Sequence, residues 1–272
     1  MAAGAYLFVA GRAPAGFMSP DDALYLGIGA NLFAGRGVTD VFGAFPPYHS
    51  PLWPAFIEAP YAWWRIDPSL AAHVTVVIAG LAVIALTAWF AWRSVPLAAA
   101  LAAATMLGFP FLLTLARGMG LDLPASALTM LYVALGLAAV RRGSVGLAVA
   151  AGLTFACAFL VKEIALSFAP VPLLCGLVRN VPLTSLGRVA GGILLAAMVG
   201  TSWWFILYAQ QLGLVYRLGA PAWVLGPLAI GGIALAIAGL TAGRWAHRVG
   251  LSSEPVPGRV VAIAGWVGTV LW

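Results

Sequence analysis

Long apolar segments with almost no ionisable residues, separated by short loops rich in arginine, constrain this chain more than any other feature of its sequence. Of its 272 residues, 63% are hydrophobic and 8% are charged, whereas a soluble domain carries about 25% charged residues. Because a spanning helix needs about 20 mostly apolar residues, the sequence predicts an all-α, polytopic transmembrane helical bundle. The net charge of +6 therefore belongs to the loops of a membrane protein, and it does not indicate a nucleic-acid partner.

The apolar segments predict about seven full transmembrane helices. These are Leu70–Trp92, Val95–Leu115, Ala125–Val140, Val145–Val161, Ile164–Val178, Val189–Gln210 and Trp223–Ala242. Met1–Ala10 is apolar but reaches only about 15 Å as a helix, and Val260–Trp272 is also too short to cross. We therefore predict a partial first transmembrane helix over residues 1–10, a loop over 11–69, and a bundle over 70–272 that ends in a clipped helix. The chain is interpreted as part of a longer protein.

The charged residues of the loops orient this bundle. Eight arginines lie on one side, which the positive-inside rule assigns to the cytoplasm: Arg93, Arg141, Arg142, Arg179, Arg188, Arg244, Arg248 and Arg259. Seven of the eight carboxylates lie in or beside loops of the other side: Asp21, Asp22, Asp40, Glu58, Asp67, Asp122 and Glu163. Carboxylates at a membrane boundary are costly and mark functional sites by default. We therefore predict a multi-pass protein of the plasma (inner) membrane, with an active extracytoplasmic face that includes residues 11–69.

The loop over residues 11–69 is too long to be a simple connection, and two interfacial helices are predicted within it. The first covers Asp21–Ala34, where apolar residues recur at the spacing of a helix face on a membrane surface. The second covers Leu52–Trp64 and carries the aromatic residues typical of a membrane interface. These aromatic residues are Trp53, Tyr61, Trp63 and Trp64.

The first interfacial helix opens with two adjacent carboxylates, Asp21 and Asp22. A structural interpretation makes Ser19 the N-cap and Pro20 the first helical residue, with Asp22 completing a capping box. Acids in a first turn also complement the helix dipole. This interpretation accounts for Asp22 and leaves Asp21 largely unexplained, so Asp21 is the stronger candidate for chemistry.

Three short motifs follow one another in this loop: Asp21-Asp22-Ala23-Leu24-Tyr25, then Ala30-Asn31-Leu32 with Gly35 and Gly37, then Pro46-Pro47-Tyr48. Together they resemble the first luminal loop of GT-C membrane glycosyltransferases, of the protein O-mannosyltransferase and aminoarabinose transferase type. That family shows an acid pair, commonly Asp-Glu, before a Tyr, and a Pro-Pro turn before a second surface helix. The resemblance implies that Asp21 is the base or the residue that orients the acceptor, supported by Asp22 and Tyr25. Asp22 replaces the commoner Glu.

Two further motifs extend the resemblance over roughly residues 1–180. The segment Arg117–Pro124 resembles the second outer loop of the family, whose Asp opens the next spanning helix, so Asp122 is a second catalytic candidate. Its alternative role is that of a helix N-cap. Lys162, the single lysine of the chain, resembles the Lys that ends the fifth span and contacts the phosphate of the donor. Its alternative role is to snorkel to the interface, with Glu163 as a solvated neighbour.

The resemblance implies an enzyme that moves a sugar from a polyprenyl-phosphate-linked donor in the bilayer to an acceptor protein, lipid or glycan. A carboxylate can hold and partly deprotonate the acceptor. Cations can stabilise the departing phosphate, a role suited to Lys162, Arg117 and Arg217. The sequence does not specify the sugar, the acceptor or the oligomeric state.

A divalent metal is the one cofactor that the sequence raises, through His49. This residue could join Asp21 or Asp122 as a ligand, since some GT-C enzymes use a metal and His suits transition metals. The alternative is a hydrogen-bonded residue in a turn bounded by prolines.

Two other functions stay open. A transporter or flippase is compatible with four prolines that could interrupt helices, namely Pro110, Pro170, Pro172 and Pro227, although the spans hold few ionisable residues for ion coupling. A non-catalytic scaffold of GT-C shape is the other, because a fold does not guarantee an activity. Structurally, Cys157 and Cys175 are predicted to be free thiols, and Gly191-Gly192 predicts close helix packing.

Overall fold

The structure is a computed structural model that describes residues 20–46, 50–92 and 120–216. All regular structure within these ranges is helical, as the sequence predicts. The elements are α1 (Pro20–Phe33), α2 (Leu52–Trp64), α3 (Pro68–Trp92), α4 (Asp122–Arg142), α5 (Val145–Val161), a 3₁₀ helix (Glu163–Phe168), α6 (Val171–Val178) and α7 (Leu183–Tyr216). The predicted spans Val95–Leu115 and Trp223–Ala242 and both terminal stretches lie outside the described residues.

The chain divides into two compact units. The first consists of Met1–Met130 with Ala158–Glu163, and the second of Leu131–Cys157 with Ile164–Trp272. In the first unit, α1, α2 and α3 share a core with the start of α4. The buried residues of that core include Tyr25, Trp53, Ile57, Val76 and Leu123.

Three described helices are long and apolar enough to cross a membrane: α3, α4 and the part of α7 over Leu183–Leu207. Each is longer than the span that the sequence predicts there. The 25 residues of α3 extend about 37 Å, more than the hydrocarbon core of about 30 Å. Leu70, Val74 and Ile78 form an exposed apolar stripe on α3, at a spacing of one helical turn. An exposed stripe of this kind is typical of a lipid-facing surface.

In the second unit, α5 and α7 pack through small residues that recur every fourth position. These are Ala148, Gly152 and Ala156 on α5, and Gly192, Ala196 and Gly200 on α7. A Cβ placed on Gly152 would lie 2.3 Å from the carbonyl oxygen of Ile193 and 2.7 Å from the Cβ of Ala196. The two backbones therefore approach as closely as in other small-residue interfaces of membrane helices. The close packing predicted from Gly191-Gly192 is confirmed at Gly192, where a Cβ would lie 2.9 Å from that of Ala148.

The stretch predicted as a single span, Ile164–Val178, is interrupted. A 3₁₀ helix ends at Phe168, and α6 begins at Val171 after Ala169 and Pro170. Proline lacks the N–H that would continue the helical hydrogen bonds. At the break, the carbonyl of Ala169 accepts a hydrogen bond from the buried Tyr132 hydroxyl. In a bilayer a freed backbone group needs such a partner. Cys157 and Cys175, in the same unit, are free thiols, as predicted.

We expect Tyr132→Phe to lower the free energy of unfolding by about 1 kcal/mol, because it leaves the Ala169 carbonyl without its partner at the helix break. The measurement is the denaturation midpoint of the protein in detergent. Tyr61→Phe is the matched control, since Tyr61 is exposed on α2 and its ring contact with Arg65 does not need the hydroxyl. Equal midpoints for the two variants would show that the Tyr132 hydroxyl does not stabilise the break.

Candidate functional site

The first turn of α1 is held in place by the close packing of α1 against α2. The two helices confirm the predicted segments Asp21–Ala34 and Leu52–Trp64 to within one residue. They approach most closely at Gly29, where a Cβ would lie 2.6 Å from the carbonyl oxygen of Pro54 and 2.8 Å from the Cβ of Glu58. A larger residue at this position would separate the two helices.

The loop after α1 is ordered by two polar side chains. Asn31 donates hydrogen bonds to the carbonyls of Thr39 and Asp40, at 3.2 and 2.7 Å. The Asp40 carboxylate accepts from the backbone N–H groups of Phe42 and Ala44, at 2.8 and 2.9 Å. Gly35 has a φ of 74°, which glycine adopts without strain. Several residues that carry the family resemblance therefore have a local structural role in this turn.

The two carboxylates at the start of α1 lie in different environments. Asp22 is buried, with 2% of its surface exposed, whereas Asp21 is exposed and lines a cavity. Successive helical residues point about 100° apart, so both cannot face the core. Asp22 is therefore enclosed by the fold, whereas the Asp21 carboxylate is accessible; the capping role predicted for Asp22 and the chemical role predicted for Asp21 stay predictions. The proposed N-cap, Ser19, lies outside the described residues.

The cavity beside Asp21 has a volume of about 200 Å³ and lies within the first unit. Four separate chain segments line it: the start of α1, the residue before the Pro51 turn, the residue before α4, and the end of α5 with the two residues after it. The lining residues are Asp21, Tyr25, Ser50, Leu121, Phe159, Leu160, Val161, Lys162 and Glu163. One part of the wall is thus aliphatic and aromatic, and the rest carries the ionisable groups.

Lys162 forms an ion pair with Asp122, between its Nζ and the Oδ1 of the carboxylate. The Lys162 backbone N–H still donates to the carbonyl of Ala158 at 2.9 Å, so the last turn of α5 fixes the base of its side chain. Asp122 is the first residue of α4. The Ala125 N–H donates to the Leu121 carbonyl at 2.9 Å, so the helix is hydrogen-bonded from its first turn. The alternative role of Asp122 as an N-cap stays a prediction.

The pair is half in solvent, with 36% of the Lys162 side chain and 44% of the Asp122 side chain exposed. An ion pair with this exposure contributes about 0.2–1 kcal/mol. It therefore orders the two side chains without holding them irreversibly together. Through it Asp122 reaches the edge of the cavity, and the candidate residues Asp21, Tyr25, Lys162 and Asp122 come together in one place.

The Tyr25 hydroxyl lines the cavity and keeps its proton. Burial raises the pKa of its hydroxyl, and nearby carboxylates raise this pKa further, in the order Asp21, Asp122, Asp22 and Glu163. The hydroxyl consequently stays protonated at physiological pH. A neutral donor next to the accessible carboxylate of Asp21 suits the binding of an oxygen-rich ligand.

The structure leaves three of the sequence-based candidates open and adds two residues. Arg117, Arg217 and His49 lie outside the described residues. In the described ranges, no three or more His, Cys, Asp or Glu side chains are grouped so that they could hold a metal ion. Glu163, interpreted from sequence as a solvated neighbour of Lys162, lines the cavity, as does Ser50. Only the adjacency to Lys162 could have singled out Glu163, and nothing in the sequence singled out Ser50.

Glu58 is a buried carboxyl on α2 that faces α1 at Gly29. Burial raises its pKa above the ordinary value of 4.5, because an apolar environment disfavours the charged form. The favourable contribution of Glu58 to the free energy of unfolding is complete below the pKa of this group in the unfolded state. It is lost as the pH rises through the pKa in the folded state. We therefore expect Glu58→Gln to raise the thermal unfolding midpoint at neutral pH, with the difference from wild type disappearing at about pH 4.

Asp67 is the control for that measurement, because its pKa is shifted in the opposite direction. Hydrogen bonds from the Ser69 hydroxyl and backbone N–H lower the pKa of its exposed carboxyl, which caps the start of α3. Its contribution is present above the unfolded-state pKa and is lost in acid. Asp67→Asn should therefore give no gain in midpoint at neutral pH. A Glu58→Gln midpoint equal to or below wild type at pH 7 would contradict the assignment of Glu58.

Comparison of the chain with models of protein families, with curated protein sequences and with solved structures finds no match. The resemblance to GT-C enzymes therefore stays a prediction from the motifs, and the geometry described above is the independent observation that bears on the candidate residues.

Proposed function

We propose that this chain carries the active site of a GT-C membrane glycosyltransferase, which moves a sugar from a polyprenyl-phosphate donor to an acceptor on the extracytoplasmic face. The observation that carries the proposal is that Asp21 and Lys162 line one cavity and that Asp122 is paired with Lys162. Each was selected from a separate stretch of sequence, and nothing in their local patterns requires them to be neighbours. Their proximity is expected of residues that act on one substrate.

The chemistry of the cavity fits this transfer. Asp21 accepts the proton of the acceptor hydroxyl or amine as the acceptor atom forms a bond to the anomeric carbon. The bond from that carbon to the phosphate oxygen breaks, and the electron pair leaves with the polyprenyl phosphate. Lys162 stabilises the charge on that phosphate, while the protonated Tyr25 donates a hydrogen bond. No nucleotide-sugar domain is needed, because the donor arrives through the bilayer.

Exposed aromatic residues support a site at the membrane boundary. Phe33 at the end of α1 packs edge-on against Trp63 of α2, with ring centroids 6.1 Å apart, and Trp63 contacts Trp64 at 5.5 Å. Both tryptophans are exposed, and the candidate span α3 begins at Pro68, directly after this cluster. Tryptophan is enriched at membrane–water interfaces. In this arrangement α1 and α2 lie on the plasma membrane surface, where the phosphate of a lipid-linked donor is found.

The interrupted helix at Ala169 favours a second candidate, a transporter or flippase. Broken helices form substrate sites in many transporters. The Ala169 carbonyl at this break, however, already has the Tyr132 hydroxyl as its partner, which is the arrangement of a structural break. The second candidate is therefore the weaker one, and the non-catalytic scaffold is tested by the same experiment as the enzyme.

The proposal is tested by sugar transfer in membranes that contain the protein, from a panel of labelled polyprenyl-phosphate sugars to endogenous acceptors. Transfer above that of membranes without the protein, and lost on removal of the polyprenyl-phosphate donor, is the expected result. Absence of transfer from every donor would contradict it. Measurement of labelled prenyl-phosphate flux across the same vesicles then separates a flippase from a scaffold.

A further inference from the structure

We propose that the ion pair between Asp122 and Lys162 exists only until the donor binds. The donor phosphate then replaces the Asp122 carboxylate as the partner of Lys162, and this releases the carboxylate toward the acceptor. This inference rests on the proposed function and deepens it, because it makes the donor the first substrate to bind. The ion pair is then the resting state of an anion site, and Asp122 stands in for the phosphate.

The charges around the cavity require such an exchange. Of the described residues that line it, Lys162 alone is cationic, whereas Asp21 and Glu163 contribute carboxylates. A phosphate that enters is repelled by both carboxylates, and among the described residues of the lining it gains a charge-assisted bond from Lys162 alone. As long as Asp122 holds that cation, the phosphate must compete with it for the same ammonium group.

The exchange is favourable because Asp122 is easily released. Both side chains of the pair are more than one-third exposed, so water can solvate each of them when they separate. Asp122 also lies in the first turn of α4, where the helix dipole favours a negative charge without any partner. The dipole therefore offsets part of the interaction that Asp122 loses when it leaves Lys162.

The exchange and its simplest alternative predict opposite effects on phosphate binding when the charge of Asp122 is removed. If Asp122 only positioned Lys162 for the donor, then removing its charge would weaken phosphate binding. If it competes with the donor, then removing its charge strengthens binding. An exposed ion pair of this kind is worth up to about fivefold in an equilibrium constant, and we expect Asp122→Asn to tighten phosphate binding by about two- to fivefold.

The test is a double-mutant cycle on the binding of a short-chain prenyl phosphate, with the protein in nanodiscs of zwitterionic lipid and binding measured by calorimetry. Wild type, Asp122→Asn, Lys162→Gln and the double variant are compared. Under the exchange, Asp122→Asn tightens binding in the wild-type background and has no effect in the Lys162→Gln background. A gain of equal size in both backgrounds would show simple repulsion, and a loss in the wild-type background would show positioning. Either result overturns the inference.

Four controls identify the source of the effect. Glu163→Gln removes one charge from the same cavity without removing the Asp122 partner of Lys162, so it measures general repulsion. The prenyl alcohol lacks the phosphate and should bind equally to wild type and Asp122→Asn. Inorganic phosphate should bind with lower affinity, and Asp122→Asn should change that affinity in the same direction. The affinity for prenyl phosphate should be unchanged in nanodiscs with added phosphatidylglycerol, which excludes a bulk lipid headgroup as the natural occupant. Competition by that lipid would overturn the assignment to the donor.

A second measurement needs no variant. Lys162 is the single lysine of the chain, so selective ¹⁵Nζ labelling gives one lysine signal, which prenyl phosphate should shift on binding. A signal that stays unchanged while the ligand binds would overturn the inference. All of these are binding experiments, so they report on the exchange even if no donor supports transfer, and a failed cycle with active transfer would leave the proposed enzyme intact.

Discussion

Asp21→Asn is expected to lower the rate of sugar transfer by a factor of about 10²–10⁴, the usual contribution of a general base. The carboxamide keeps the shape of the side chain but cannot accept the proton of the acceptor. Because Asp21 is exposed on the first turn of α1, whereas Asp22 is buried, the substitution removes no packing from the α1–α2 core. The measurement is the initial rate of transfer at equal protein amount and equal unfolding midpoint.

Asp67→Asn is the matched control for this loss. It removes the same charge from an exposed carboxylate in the first unit, and Asn caps a helix about as well as Asp. We expect it to retain the wild-type rate. If Asp21→Asn kept that rate as well, the base would be another carboxylate, with Asp122 the next to test. A third possibility, loss of rate in both variants, would point to the charge of this face and not to Asp21.

The α1–α2 segment shows how much the sequence can predict. Its helix bounds follow from local rules, since apolar spacing and first-turn acids are readable in a single sequence. The burial of Glu58 is not readable in this way. It depends on which face of α2 meets Gly29 of α1, and that choice is made by tertiary packing.

The ion pair of Lys162 with Asp122 is likewise a feature of the site that the sequence does not predict. The resemblance selected both residues and gave each a separate role, but no local pattern relates two side chains 40 positions apart. The sequence predicts part of the interruption near Ala169, since Pro170 and Pro172 are residues that can break a helix. The sequence does not predict the compensating hydrogen bond from Tyr132, because that donor belongs to another helix.

Gly152→Leu is expected to have the largest effect on stability of any substitution considered, about 3 kcal/mol or more, at or beyond the upper end of the usual cost of overpacking. A Cβ alone would lie 2.3 Å from the carbonyl oxygen of Ile193, and no rotamer can relieve a clash between a Cβ and a backbone atom. The helices α5 and α7 must therefore move apart. Contacts along the rest of the stripe, at Gly192 and Gly200, are weakened at the same time.

Gly146→Leu is the control for this prediction, because it makes the same change on the same helix at an open position. A Cβ on Gly146 would meet only the Ser144 hydroxyl, at 3.9 Å, and leucine favours a helix over glycine by about 1 kcal/mol. We therefore expect an unfolding midpoint in detergent at or above wild type for Gly146→Leu and a large decrease for Gly152→Leu. Similar midpoints for the two variants would falsify the close approach of α5 and α7, since only that approach distinguishes the two glycines.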